Sequence, residues 1–400
     1  MTTGVINRSA MTFNSALISC FVYALIIYLP STAVISASMY YVIAIGVIIY
    51  TVLNRGANFN VAFIFFVCLF CASLLASLLG YFGFLFIESY DLAYRDNFIP
   101  LQISLIASLL IANTINREIA FFIVVFILCE CIAGLIQFSL GIKTFFPFVN
   151  EAYNEVGVSS GLLYFKRVYG FANNSSGFAG NILVMATLTA VFLKDASKLF
   201  RYFVFTIALF AIVCSFTRSA IIAYAVFLFF YVIVNSGKIN PVRGFFCLIL
   251  FLLIVVSLIS YLDWGAISDQ LNRGRSGQDL SGRDVIWSIY VDYIGQHPFF
   301  GNFSLRNYLY IPVYEYMHAH NSFLMAVYIL GIIPSVFIFI PFIFIRVWKY
   351  KDNIYLIGLL VYSSAQYYLL WGASIADIAF FSVILFSYKH YKTINKYTDI

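Results

Sequence analysis

Long apolar runs separated by short polar breaks set the pattern of this chain. In lipid each backbone N–H and C=O must be paired within its own segment, so a spanning helix needs about 20 mainly apolar residues. Runs of that kind predict about twelve transmembrane helices, over 11–29, 32–53, 60–87, 98–114, 119–141, 177–193, 200–216, 219–235, 243–262, 322–345, 353–370 and 372–388. The expected fold is therefore all-α, a polytopic helical bundle forming one transmembrane domain over residues 1–400. The run at 11–29 lacks a small-residue cleavage site and a second run follows at once, which predicts a retained helix in place of a removed signal peptide.

The pattern opens up twice, at 142–176 and 263–321. Structureless loops beyond about 15 residues are uncommon in compact proteins and often carry function. Within the second loop, Ser281 and Asp284 have the spacing of an N-terminal capping pair. Ile286, Ile289, Tyr290, Tyr293 and Ile294 then fall on one face of an amphipathic helix, and His297-Pro298 ends it.

Composition agrees with the pattern. Hydrophobic residues make up 63% of the chain and charged residues 10%, with a mean hydropathy of +0.94; this is the balance of an integral membrane protein. Basic residues favour the cytoplasmic side during insertion. With both termini inside, that side collects Arg117, Lys194, Lys198, Lys238, Lys349 and the C-terminal lysines, while of the lysines only Lys143 and Lys166 fall outside. The outer loops carry mainly arginine: Arg95, Arg167, Arg218, Arg273, Arg275, Arg283 and Arg306. The net charge of +6 thus reflects topology, and no nucleic-acid partner is expected. The seven cysteines all lie within apolar runs, which predicts core packing and no disulfide framework.

A guanidinium is a planar fork that grips phosphate oxygens in pairs, so the outer arginines are candidates for anion binding as well as for plain loop solvation. Arg283 is expected in the first turn of its helix, where free N–H groups already favour an anion; the alternative is a surface pair with Asp284 or Asp279. Arg218, in "CSFTRSA", stands at an outer membrane boundary, where it either lines a polar cavity or snorkels to headgroups. In "YFKRVYGFANNSSGFAGN", Lys166, Arg167, Asn173 and Asn174 stand before a span, as sugar-binding amides and cations or as turn and interface residues. His320 and Asn321 open the run 322–345, with Gly331 deeper in it. A histidine can take a proton from a hydroxyl near neutral pH. Glu315, His318 and His320 make a poor ligand set, so no metal and no cofactor is assigned.

"RVYGFANNSSG", "SFTRSA", "SGRDVIWSIYVDYIGQHPFFG" and "HNSFLMAVYILGIIP" occur in an order and topology that resembles the bacterial O-antigen polymerase (Wzy) and ligase (WaaL) superfamily, over roughly 165–335. His320-Asn321 and Gly331 fit the ligase signature, and Pro334 departs from it at the last position.

The resemblance implies an inverting, metal-independent glycosyl transfer at the periplasmic face of the inner membrane, with a glycan on undecaprenyl diphosphate as donor. On this resemblance Arg218 and Arg283 would grip the diphosphate and His320 would activate or orient the acceptor hydroxyl. Lys166 or Arg167 would guide the anionic donor, and with Asn173, Asn174 and Asn321 they form the expected binding set for diphosphate and glycan. The expected partners are the undecaprenyl-diphosphate-linked oligosaccharide and the lipid bilayer, with a polysaccharide chain-length regulator as a candidate. The polymerase is the favoured reading and the ligase the runner-up. A flippase or other transporter ranks lower, because within the spans only Glu130 and Asp377 are acidic. Glu130, in "LCECIAG", is either a proton site or a carboxyl hydrogen-bonded within the bundle.

Overall fold

The structure, a computed structural model, describes residues 3–53, 61–81, 95–97, 99–146, 167–235, 283–296, 299, 301, 306–312, 315–340 and 351–398. The chain begins with α1 (Thr3–Tyr28), α2 (Met39–Leu53), α3 (Val61–Tyr81), α4 (Leu101–Ala112) and α5 (Arg117–Leu140). It continues with α6 (Ser175–Phe192), α7 (Lys198–Cys214), α8 (Arg218–Asn235) and α9 (Arg283–Gln296). After these come α10 (Ser322–Leu330), α11 (Ile332–Ile340), α12 (Ile357–Ala365) and α13 (Ile375–Thr398). The strands β1 (Arg95–Asn97), β2 (Arg306–Asn307), β3 (Leu309–Ile311) and β4 (Glu315–Met317) form two antiparallel pairs, β1 with β2 and β3 with β4.

Helix α6 is the centre of the bundle. It packs on α5, α7, α8, α12 and α13 and is buried on every side, as a helix without a polar face must be. Small residues allow the close approach: a Cβ at Gly180 would enter the Tyr368 ring. Helices α2, α3 and α7 lie further out. Their large exposed side chains, such as Ile45, Ile49, Ile64, Tyr202 and Phe210, are apolar, the surface expected of a protein whose solvent is lipid. Among the described residues three helices, α5, α6 and α8, are long and apolar enough to cross a membrane, and shorter apolar helices surround them.

Two expected spans differ from the structure. The run 322–345 is not one helix: α10 and α11 meet at Gly331, whose φ of +85° disfavours any side chain. There the backbone of Gly301 comes so close to that of Gly331 that a Cβ on either would strike the other segment. The run 353–370 is a 3-10 turn over Lys351–Leu356 followed by the short α12, which stops at Ala365. Apolarity marks both runs as membrane-compatible, yet could not reveal that the helix is interrupted. The run 243–262, Ser281 and Lys166 lie outside the described residues.

Helix α9 confirms the amphipathic pattern, with Ile286 and Tyr290 buried and Trp287, Ile289, Tyr293 and Ile294 packed on the core. At the other end of the bundle from the long loops, Lys194 reaches Asp352 at 3.7 Å and Arg117 reaches Asp195 at 3.9 Å. These are exposed or half-exposed pairs and contribute little to stability.

Candidate active site

Hydrogen bonds from buried polar side chains bind the loops at one end of the bundle together. On α5, Gln137 holds both backbone groups of Gly170: its Nε2 donates to the carbonyl at 2.8 Å and its Oε1 accepts from the N–H at 2.9 Å. One carboxylate oxygen of Glu130, two turns earlier, accepts from Phe171 N at 3.2 Å and the other accepts from Tyr28 Oη at 2.9 Å. Asn181 Nδ2 also donates to Glu130, while Asn181 Oδ1 accepts from Tyr368 Oη at 3.0 Å. These hydrogen bonds tie the carboxyl to α1, α6 and the segment before α6. That segment is in turn laced to α7, with Val168 N donating to Cys214 O at 3.2 Å. Arg167 is thereby brought beside the turn that carries Arg218.

The result is a cavity of about 360 Å³ whose walls include Arg167, Arg218 and Arg283. The starts of α6, α8 and α9 meet there, through Ser175, Ser176, Arg218, Ser219 and Arg283. No carboxylate occurs among its described lining residues. Arginine forks and helix N termini both favour an anion, and a phosphate has the oxygens to meet them. Arg167 also lies with its guanidinium carbon 5.9 Å from the Tyr169 ring centroid. Lys143 stands close enough that burial first, and then the Arg167 charge, lower its pKa from the usual lysine range.

A second cavity, of about 320 Å³, adjoins the first and shares Ser176 and Gln366 with it. His318 and His320 line it, with Asn173, Asn174, Gln366, Tyr367 and Trp371. Helix α9 holds the histidine strand in place: Trp287 Nε1 donates to Ala319 O at 2.6 Å and Tyr290 Oη to Met317 O at 2.9 Å. His320 has a φ of +50°, and its N–H donates to His318 Nδ1 at 3.1 Å. That bond makes Nδ1 of His318 the acceptor, so in the neutral ring the proton is on Nε2. Burial, then the charges of His320 and Arg283, push the His318 pKa down to about 3, so it is uncharged at neutral pH. His318 packs at 5.6 Å on the Tyr367 ring and 5.8 Å on the Trp371 ring, and at 4.2 Å on His320.

Among the described residues, three that are not glycine have positive φ: Phe216, His320 and Leu370. Each lies in a loop that lines one of these cavities or carries its walls, and such strain gathers where tertiary structure over-determines a site.

Arg218 and Arg283 thus share one cavity, Arg167 joins them, and His320 stands in the adjoining one. Asn173 and Asn174 line the histidine side. Two of the amides serve as helix caps. Asn174 Oδ1 accepts from Gly177 N at 2.7 Å at the start of α6, and Asn321 Oδ1 accepts from Phe323 N and Leu324 N at 2.9 and 3.0 Å at the start of α10. Gln366, Tyr367 and Trp371 escaped the sequence reading. They sit at the end of an apolar run that looks like a span, and only the early stop of α12 reveals them as cavity walls.

Residues 203–339 match the family model described as O-antigen ligase. The matched stretch contains Arg218, Arg283 and His320 and supports the resemblance drawn from the motifs. No curated protein matches the chain.

Proposed function

We propose that this membrane protein is a glycosyltransferase that joins oligosaccharide repeat units carried on undecaprenyl diphosphate, an O-antigen polymerase acting at the periplasmic face of the bacterial inner membrane. The observation that carries this reading is the adjacency of the two cavities: three arginines line one, and a histidine able to work as a base lines the other.

Arg218, Arg283 and Arg167 would hold the diphosphate of the donor. His320 would accept the proton of the acceptor hydroxyl as its oxygen bonds to the anomeric carbon from the face opposite the phosphate. The anomeric carbon–oxygen bond then breaks, and its electron pair leaves with undecaprenyl diphosphate. The carbon is inverted, and the growing negative charge on the leaving group meets preorganised guanidinium groups and helix N termini. Diphosphate is already a fair leaving group, so on this reading no metal is required. A chain-length regulator would act from outside this chemistry.

Pro334, which departs from the ligase signature, and the paired "HPFFG" and "HNSFL" segments favour the polymerase. The O-antigen ligase description of the matching family favours the second reading, transfer of finished glycan to lipid A core.

The test is the surface glycolipid pattern on a gel after deletion of the gene, with rescue by wild type and by His320→Ala. Core bearing a single repeat unit is the expected result, restored to a ladder by wild type alone. Bare core with lipid-linked polymer accumulating would move the assignment to the ligase. A normal ladder in the deletion would remove O-antigen assembly altogether.

A further inference from the structure

Between the two cavities the chemistry of the walls changes. The described lining of the histidine-side cavity includes neither lysine nor arginine. It offers amides at Asn173 and Gln366, hydroxyls at Ser31 and Ser176, and the rings of Tyr367 and Trp371. Those two rings pack at 4.5 Å. An acyl chain would offer the amides no hydrogen bond, and a phosphate would find no cation beyond the histidines. A sugar suits both kinds of group, because its hydroxyls exchange hydrogen bonds with amides and its C–H face covers an aromatic ring. At about 320 Å³ the space is at the small end of ligand pockets and has room for a short saccharide.

The wall is also held in advance of any ligand. Asp377, at the start of α13, accepts from Leu370 N at 2.6 Å and from Gly372 N at 2.9 Å, and Ser374 Oγ donates to it at 2.8 Å. Ser108 Oγ on α4 donates to Gly372 O at 2.8 Å. Ser322, two residues after His320, accepts from Tyr368 N and Leu369 N at 2.9 and 3.0 Å through its hydroxyl oxygen. The loop that presents Tyr367 and Trp371 is therefore fixed to the helix that follows the histidine. Its strained Leu370, with φ +54°, sits between those clamps.

We infer that the histidine-side cavity is the acceptor-saccharide subsite, in which Trp371 and Tyr367 supply the stacking wall and Asn173 and Gln366 read the hydroxyls beside His320. The inference rests on the glycosyl-transfer reading and extends it: the family-matching stretch supplies two of the three arginines of the diphosphate grip and the base, and flanking segments around 173 and 366–371 supply acceptor recognition. Trp371, Tyr367, Gln366 and Asn173 all lie outside 203–339.

Two probes separate this subsite from the arginine cavity: the free repeat-unit oligosaccharide without a phosphate, and undecaprenyl diphosphate without a sugar. Each is titrated onto the full chain in nanodiscs, with saturation-transfer NMR for the oligosaccharide and a thermal-shift assay for the lipid. Trp371→Ala should weaken oligosaccharide binding by about tenfold or more and leave lipid binding within about twofold; Arg218→Ala should do the reverse. Asn173→Ala, at an exposed loop position, should weaken the oligosaccharide alone. If Trp371→Ala fails to fold, undiminished oligosaccharide binding in both Asn173→Ala and Trp371→Leu would overturn the subsite, as would undiminished binding in a folded Trp371→Ala. Wild-type protein that binds the lipid and not the oligosaccharide would also overturn it and leave the proposed activity standing. Binding of neither probe would sink the glycosyl-transfer reading itself.

Discussion

The two cavities are neighbours with a shared wall, yet three arginines line one, and the described lining of the other holds no lysine, arginine or carboxylate. Around the arginine cavity the starts of α6, α8 and α9 converge, while the neutral amide of Asn174 that caps α6 lies on the histidine side. Around the histidine cavity the helix starts are already supplied: Asn321 caps α10, and the Asp377 carboxylate occupies the first turn of α13. A helix start already served by the protein's own carboxylate has little field left for an anionic ligand. Which group satisfies a helix N terminus is thus a better guide to ligand charge than the presence of the helix.

The largest effects should come from removing the arginines of one cavity or the histidine of the other. Arg218→Ala and Arg283→Ala should each lower the rate of repeat-unit transfer by about 10²-fold or more, measured with purified donor lipid. Lysine at either place should restore only part of it, because a point charge does not fork. On the neutral side, His320→Ala should lower the same rate by about 10²- to 10⁴-fold while leaving undecaprenyl diphosphate binding intact. Equal loss of lipid affinity in His320→Ala would collapse the division between the cavities.

Next in size is the backbone crossing beneath the histidine. Gly331→Ala should cost on the order of 1–3 kcal/mol or more, because a Cβ would meet the Phe299 carbonyl at a φ of +85°. The check is thermal unfolding and abundance in membranes.

His318 sharpens the contrast through pH. Its folded pKa of about 3 lies below the ordinary value near 6.5, so between those values the unfolded chain binds more protons. Stability should therefore be complete above about pH 6.5 and fall by up to about 1.4 kcal/mol per pH unit as acid is added. His318→Gln should flatten that slope in melting curves taken from pH 7 to 5.

The smallest expected effect is the loss of a cap. Asn321→Ala should lower stability by about 1 kcal/mol, seen as a modest drop in melting temperature.

Much of this was legible in the residues themselves. Membrane residence, the helical class, the amphipathic α9 and the choice of Arg218, Arg283 and His320 as candidate residues all follow from local pattern, because hydropathy, capping and guanidinium chemistry are properties of short segments. Helix ends were less legible: α2 starts at Met39 and not at 32, since Pro30 and its neighbours turn to line a cavity that apolar periodicity cannot see.

The pairing of distant segments is visible only once the chain has packed. That Glu130 and Gln137 of α5 would hold the loop carrying Arg167, that Gly301 would break a helix at Gly331, and that a hydroxyl at 322 would organise the chain at 366–369 are contacts across long stretches of sequence. They depend on which backbones come within hydrogen-bonding distance. Hydropathy and local chemistry place this chain in a membrane, with arginine and histidine in the segments between its apolar runs. The packing of buried polar groups, which must find partners wherever the fold places them, decided that these residues would stand in two adjoining cavities of opposite character.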